Sequence, residues 1–265
     1  RFNFMGGAVA GTAGTFAAIN NGDFRSDGAT SLTGGNQFNL DTLNVVSGTM
    51  TAQNTTVITP ADTTTVALGA AIQMNAGTTF GANGPVNNSG TFGAADGTHS
   101  FANGGTSNGM FTAGGTSIIC FNGGTHNLTA GARLNGPGNF QVTGAASTVL
   151  DLNGVVAPPA PFNQLFSDRV VNMTNSTLSG NVSNAGSFHV LNGTNQINGN
   201  FTTQPGSLLD IAGGSMLGMS GNFAWQLGSD LSGGGIFNIG GNLSIPSGSP
   251  HILDGLTVNV AGATT

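Results

Sequence analysis

Proton transfer or metal binding in this chain would rest on ten Asp, four His, four Arg and one Cys, because Glu, Lys and Tyr are absent. The acids are dispersed, with no Asp-x-Asp pair and no Gly-Gly-x-Gly-x-Asp calcium repeat, although Gly233-Gly234-Gly235 lies near Asp230. Two carboxylates of a glycosidase would have to meet across repeats, as Asp151 with Asp168 or Asp210 with Asp230. Asp210 and Asp230 are 20 residues apart. Like charges one rung apart repel, so solvent-facing turns are the expected home of these acids. His99, His126, His189 and His251 show no metal-ligand spacing and read as exposed or hydrogen-bonded strand residues. Cys120, inside Ser117-Ile118-Ile119-Cys120-Phe121, reads as a buried small hydrophobe. Gly241-Asn242-Leu243-Ser244-Ile245 fails as a nucleophile elbow at its fifth position. No catalytic residue, metal or cofactor is assigned, and an enzyme is not expected.

The elements that would position such groups are legible in the turns. Gly-Asn followed by an apolar residue recurs at Gly138-Asn139, Gly180-Asn181, Gly199-Asn200, Gly221-Asn222 and Gly241-Asn242, at intervals of 42, 19, 22 and 20. The first interval is two periods of 21. Between these marks apolar residues alternate over three to five positions, as in Phe188-His189-Val190, Leu209-Asp210-Ile211 and Phe237-Asn238-Ile239. The absence of Glu and Lys, and 46 Gly in 265 residues, disfavour helices. A hydrophobic fraction of 38% spread along the chain disfavours disorder.

Short strands that return every 20 residues or so predict an all-β chain, a parallel β-solenoid whose coils stack about 4.8 Å apart. At 265/20, that is roughly 13 coils, fewer where loops intervene, in a rod of about 50–60 Å. Gly and Asn tolerate the positive φ of tight corners. Asn139, Asn181, Asn200, Asn222 and Asn242 are expected to form a ladder, each side-chain amide pairing with the next.

Two stretches depart from the period. Residues 1–40 are read as an N-terminal cap or assembly segment ahead of a solenoid over 41–153. Three of the nine prolines fall in 154–169, read as a lateral loop before the solenoid resumes over 170–265. Pro158, Pro159, Pro161, Phe162, Leu165 and Phe166 are its candidate contact residues.

Charge restricts the partners. A net charge of −6 with four scattered Arg offers no basic stripe to phosphates, which argues against nucleic acid and anionic membranes. No apolar run approaches the roughly 20 residues of a membrane span. The Gly-Asn punctuation, the 20-residue period and the Asn/Thr/Ser-rich turns resemble the β-solenoid passenger regions of autotransporters and filamentous-haemagglutinin-like surface proteins. The resemblance covers the chain from about Asp41 and is one of repeat style. It implies a secreted or surface-displayed structural or adhesive rod. The unpaired rungs at its terminal coils favour a structural subunit stacking head to tail into a filament, with an adhesin or module binding extracellular glycans as the alternative. A polysaccharide-degrading enzyme ranks third.

Overall fold

The protein, seen in a computed structural model, is described over residues 2–4, 7–10, 22–33, 37–54, 56–156, 161–247 and 252–265. It is an all-β parallel solenoid of about 11 coils, about 21 residues apart, with no helix among the described residues. Every strand pairing is parallel and links a strand to its counterpart one coil away. At about 4.8 Å per coil the rod is roughly 50 Å long.

Three walls enclose the core. One runs from Phe24–Asp27 through Val86–Asn88 to the stack that begins at Gly105–Ser107 and ends at Ile252–Asp254. A second includes Thr30–Thr33, Ala71–Met74, Thr177–Ser179, Thr194–Asn198, Met216–Met219, Ile236–Ile239 and Thr257–Val260. The third includes Gln37–Leu40, Thr79–Ala82, Asn139–Val142, Gln164–Ser167, Asn181–Asn184, Phe201–Thr203 and Leu243–Ser244. Most strands are short because a corner follows every few residues, so each buries only one or two side chains, whereas Thr91–Phe101 and Met110–Phe121 run on through their corner and span two walls.

In-register stacking turns alternation within a strand into columns across coils. On the third wall Ile119, Phe140, Leu165, Val182, Phe201, Phe223 and Leu243 follow one another inward, all buried. Aromatic rings meet edge to face along the axis, with Phe201 5.2 Å from Phe188 and 5.8 Å from Phe223. Each fully buried Phe contributes on the order of 1.5–3 kcal/mol by leaving water.

Neither departure from the period is as large as the sequence reading made it. Phe2–Phe4 pairs with Phe24–Asp27 and Gly7–Ala10 with Thr30–Thr33, so coils already run on the N-terminal side of residue 40. The expected lateral loop is also narrower. Gln164–Ser167 is a third-wall strand in register with Asn139–Val142 and Asn181–Asn184, and Val155 and Phe162 are buried. The apolar residues of 154–169 are there because the coil needs core residues before and after the prolines.

Candidate functional site

The edge between the second and third walls is built by the Gly-Asn pairs. A Cβ on Gly199 would lie 2.1 Å from the Gly180 carbonyl oxygen, and one on Gly221 2.4 Å from that of Gly199. Only glycine lets the backbones approach so closely. The approach is used by hydrogen bonds, since the Gly221 N–H donates to Gly199 O at 3.2 Å and Gly241 N–H to Gly221 O at 3.1 Å.

The asparagines that follow form the expected ladder in a different chemical form. Asn200 N–H donates to Asn181 Oδ1 at 3.0 Å, Asn222 N–H to Asn200 Oδ1 and Asn242 N–H to Asn222 Oδ1, both at 2.9 Å. Ala263 N–H continues the series to Asn242 Oδ1 at 2.9 Å. Side chain therefore meets backbone rather than side chain, because a backbone N–H turned out of the sheet at the corner needs an acceptor. Since that acceptor must be oxygen, the position of each Nδ2 amino group is also set. Asn181 donates its own to Asn163 O at 3.2 Å. Those of Asn200, Asn222 and Asn242 have no protein acceptor among the described residues, and all three side chains are exposed.

Asn139 stands apart from this run. Its register partner is Gln164, which in turn pairs with Asn181, so a whole coil separates the two asparagines. Asn163, which the period search missed, bridges part of the gap by donating Nδ2 to Asn139 Oδ1 at 2.7 Å. Direct amide-to-amide pairing also occurs on the second wall, where Asn259 Nδ2 donates to Asn238 Oδ1 at 2.8 Å.

The structure brings part of the predicted contact loop to this ladder. A shallow cavity of about 370 Å³ is lined by Pro137, Pro161, Phe162, Asn163, Asn181 and Asn198, together with corner glycines. Pro161 is exposed, whereas Phe162 and Leu165 are buried in the core and Phe166 is half-buried. Leu165 is therefore unavailable for contacts, and Phe162 offers only the part of its ring that borders the cavity. Pro158 and Pro159 lie outside the described residues. A second cavity, of about 430 Å³, lies on the second wall where Gly218 leaves a gap between Gln196 and Asn238, with Met216 and Asn259 at its side. Neither lining contains a charged side chain.

The groups that could do acid–base chemistry lie elsewhere. Asn127, Asp151, Asn172, His189, Asp210, Ser232 and Asp254 form one outward column on the first wall. His189 Nδ1 stands 3.5 Å from Asp210 Oδ2, and Ser232 Oγ donates to Asp210 Oδ1 at 2.8 Å. Asp210 sits between the other two, so the imidazole cannot take a proton from the Ser232 hydroxyl as a base in a serine relay must. Asp230 pairs in register with Leu208, not Asp210, and the proposed carboxylate pair does not form. Asp151 faces Asn172 rather than Asp168. Arg169 donates to the carbonyls of Gly144, Ala145 and Asp168, and Arg25 pairs with Asp27 at 3.0 Å. That guanidinium, with the Ser47 hydroxyl, holds the Asp27 carboxyl below its ordinary range. No cluster of three or more His, Cys or acidic residues suited to a metal occurs among the described residues.

Two histidines are core residues. Gly81 pairs with Ser100, so His99 stacks above Phe80 in the inward third-wall column. His126 occupies the inward first-wall position filled by Leu150 and Val171 in the next coils. Burial pushes the His126 imidazole down to about 4 and lowers that of His99 as well. Burial likewise raises the Cys120 thiol, whose Sγ is 3.1 Å from Thr143 Oγ1. No family model, no curated protein and no solved structure matches the chain.

Proposed function

We propose that the chain is a rigid rod of the cell exterior that adheres to an uncharged polysaccharide through its walls. The observation that carries this reading is the chemistry of the two surface cavities described above. Both are lined by carboxamides beside apolar surface, Asn163, Asn181 and Asn198 beside Pro137 and Pro161, and Gln196, Asn238 and Asn259 beside Met216. Carboxamides offer a donor and an acceptor together, which suits hydroxyl groups, and the apolar neighbours suit the C–H faces of sugar rings. The low charge agrees with it, as only 5% of residues are Asp or Arg.

End-to-end assembly has one observation on its side. In the Thr257–Val260 coil the inward Val258 and Val260 are only half-buried. A further coil of the same chain would cover them as well as a second copy would, so this surface does not favour a homopolymer.

Affinity electrophoresis of the purified rod in gels containing neutral glucans, mannans or galactans tests the proposal. Retardation by a neutral polymer that persists in high salt is expected, since no ion pair would be involved. Migration unaffected by every neutral polymer, or binding to acidic polysaccharide alone, overturns it.

A further inference from the structure

We infer that the Asn200, Asn222 and Asn242 row is a docking lane for a linear, uncharged polysaccharide lying parallel to the rod axis. The inference rests on the adhesive reading above and assigns it a site and an orientation. Three features of the edge carry it. The Nδ2 amino groups of these residues have no protein acceptor among the described residues, although each Oδ1 is held by the N–H of the next coil. Their direction is therefore set before any ligand arrives, and binding need not order them. They repeat once per coil, about 4.8 Å apart, so a polymer of similar unit length presents one oxygen acceptor to each. The lane opens at one end onto the cavity lined by Pro137, Pro161, Asn163, Asn181 and Asn198, where a terminal sugar ring finds apolar surface and carboxamides together. No residue of the edge is charged, which favours a neutral chain over an acidic or basic one.

Replacing Asn by Asp separates the two tasks of the side chain. A carboxylate still accepts the N–H of the next coil, so the ladder survives, while the outward donor is deleted. Asn200→Asp, Asn222→Asp and Asn242→Asp would be titrated calorimetrically with linear neutral glucan and mannan oligosaccharides of two to eight sugars. Asn238→Asp tests the other cavity separately. Affinity of the unsubstituted rod should rise with oligosaccharide length. Each ladder variant should bind the long oligosaccharides about fivefold more weakly, the loss of one neutral hydrogen bond, with an unchanged melting temperature. If Asn222→Asp lowers the melting temperature, the comparison is read from Asn242→Asp, whose oxygen holds only the Ala263 N–H. Ladder variants that bind as tightly as the parent, with Asn238→Asp weakened, overturn the lane and leave the adhesive reading standing. An unsubstituted rod that binds no neutral oligosaccharide or polymer overturns both.

Discussion

Gly221→Ala should be strongly destabilising. The new Cβ would sit 2.4 Å from Gly199 O, 2.6 Å from Gly199 C and 2.7 Å from Asn200 Oδ1. The first two are backbone atoms, so no rotamer change relieves the clash and the coils must part. Parting weakens the Gly221 N–H bond to Gly199 O and the Asn222 N–H bond to Asn200 Oδ1. At about 1 kcal/mol for each bond and about 1–3 kcal/mol for overpacking, the loss is about 3–5 kcal/mol. Gly213→Ala is the matched control. Its Cβ meets nothing within 4 Å and its φ is not positive. Reduced freedom of the unfolded chain should leave that variant neutral or up to about 1 kcal/mol more stable. Trp225, the only tryptophan, is buried directly after Phe223–Ala224, the strand that follows this corner. Its fluorescence during urea unfolding therefore reports on the affected interface. Coincident midpoints for the two variants would refute the close-approach account of the Gly-Asn motif.

Acid should destabilise the rod through His126. The folded state holds this imidazole neutral down to about 4, whereas the unfolded chain protonates it below its ordinary value of 6.5. Stability is thus complete above about pH 6.5 and is lost as pH falls towards 4, by up to about 3 kcal/mol. His126→Leu, copying Leu150 in the next coil, should shrink the difference in melting temperature between pH 7 and pH 4.5. Cys120 should react with a thiol reagent slowly in the native rod and rapidly in urea, because it is 7% exposed and its thiolate is disfavoured by burial. Equal rates in the two states would contradict its burial. Trp225→Phe removes the Nε1–H bond to Ser229 O, 2.9 Å long, and should cost about 1–2 kcal/mol in calorimetric unfolding.

The fold was legible because a parallel solenoid repeats its corners at fixed chain intervals, and corners demand particular residues. Gly199, Gly221 and Gly241 are required by close approach, so their spacing reports the coil length directly. The coil at 154–169 was misread because proline chemistry is conspicuous and register is not. Ser167 occupies an inward position in Gln164–Ser167, which hides the apolar alternation that Leu165 begins. His99 and His126 are the hydrogen-bonded strand residues the sequence suggested, but their inward position was hidden, since a core column is visible only once strands are aligned across coils. Of the ladder, Asn181, Asn200, Asn222 and Asn242 were found by residue and missed by atom, while Asn139 stands a coil apart from them. Spacing shows which asparagines are equivalent, but the nearest acceptor-seeking group at a corner is backbone, and that follows from geometry alone.

The low charge of the chain follows from the stacking itself. In a parallel in-register rod any side chain repeated at one coil position meets its own kind about 4.8 Å away. Two carboxylates at that distance repel by about 1 kcal/mol even at the dielectric constant of water, and a column of them multiplies the penalty. Asparagine accepts the same corner N–H without the charge. The paired strands obey this constraint: Asp151 lies between Asn127 and Asn172, Asp210 between His189 and Ser232, and Asp230 above Leu208. Where two Asp do follow each other, at Asp41 and Asp62, they lie at a corner, with Asp62 exposed. A rod stabilised in this way has little charge with which to recognise a partner. On the adhesive proposal its specificity rests on amide donors and acceptors held by their neighbours and on the apolar surface between them. Under that proposal binding is tight only where a ligand repeats along its length, because each contact is weak and the rod supplies them in rows.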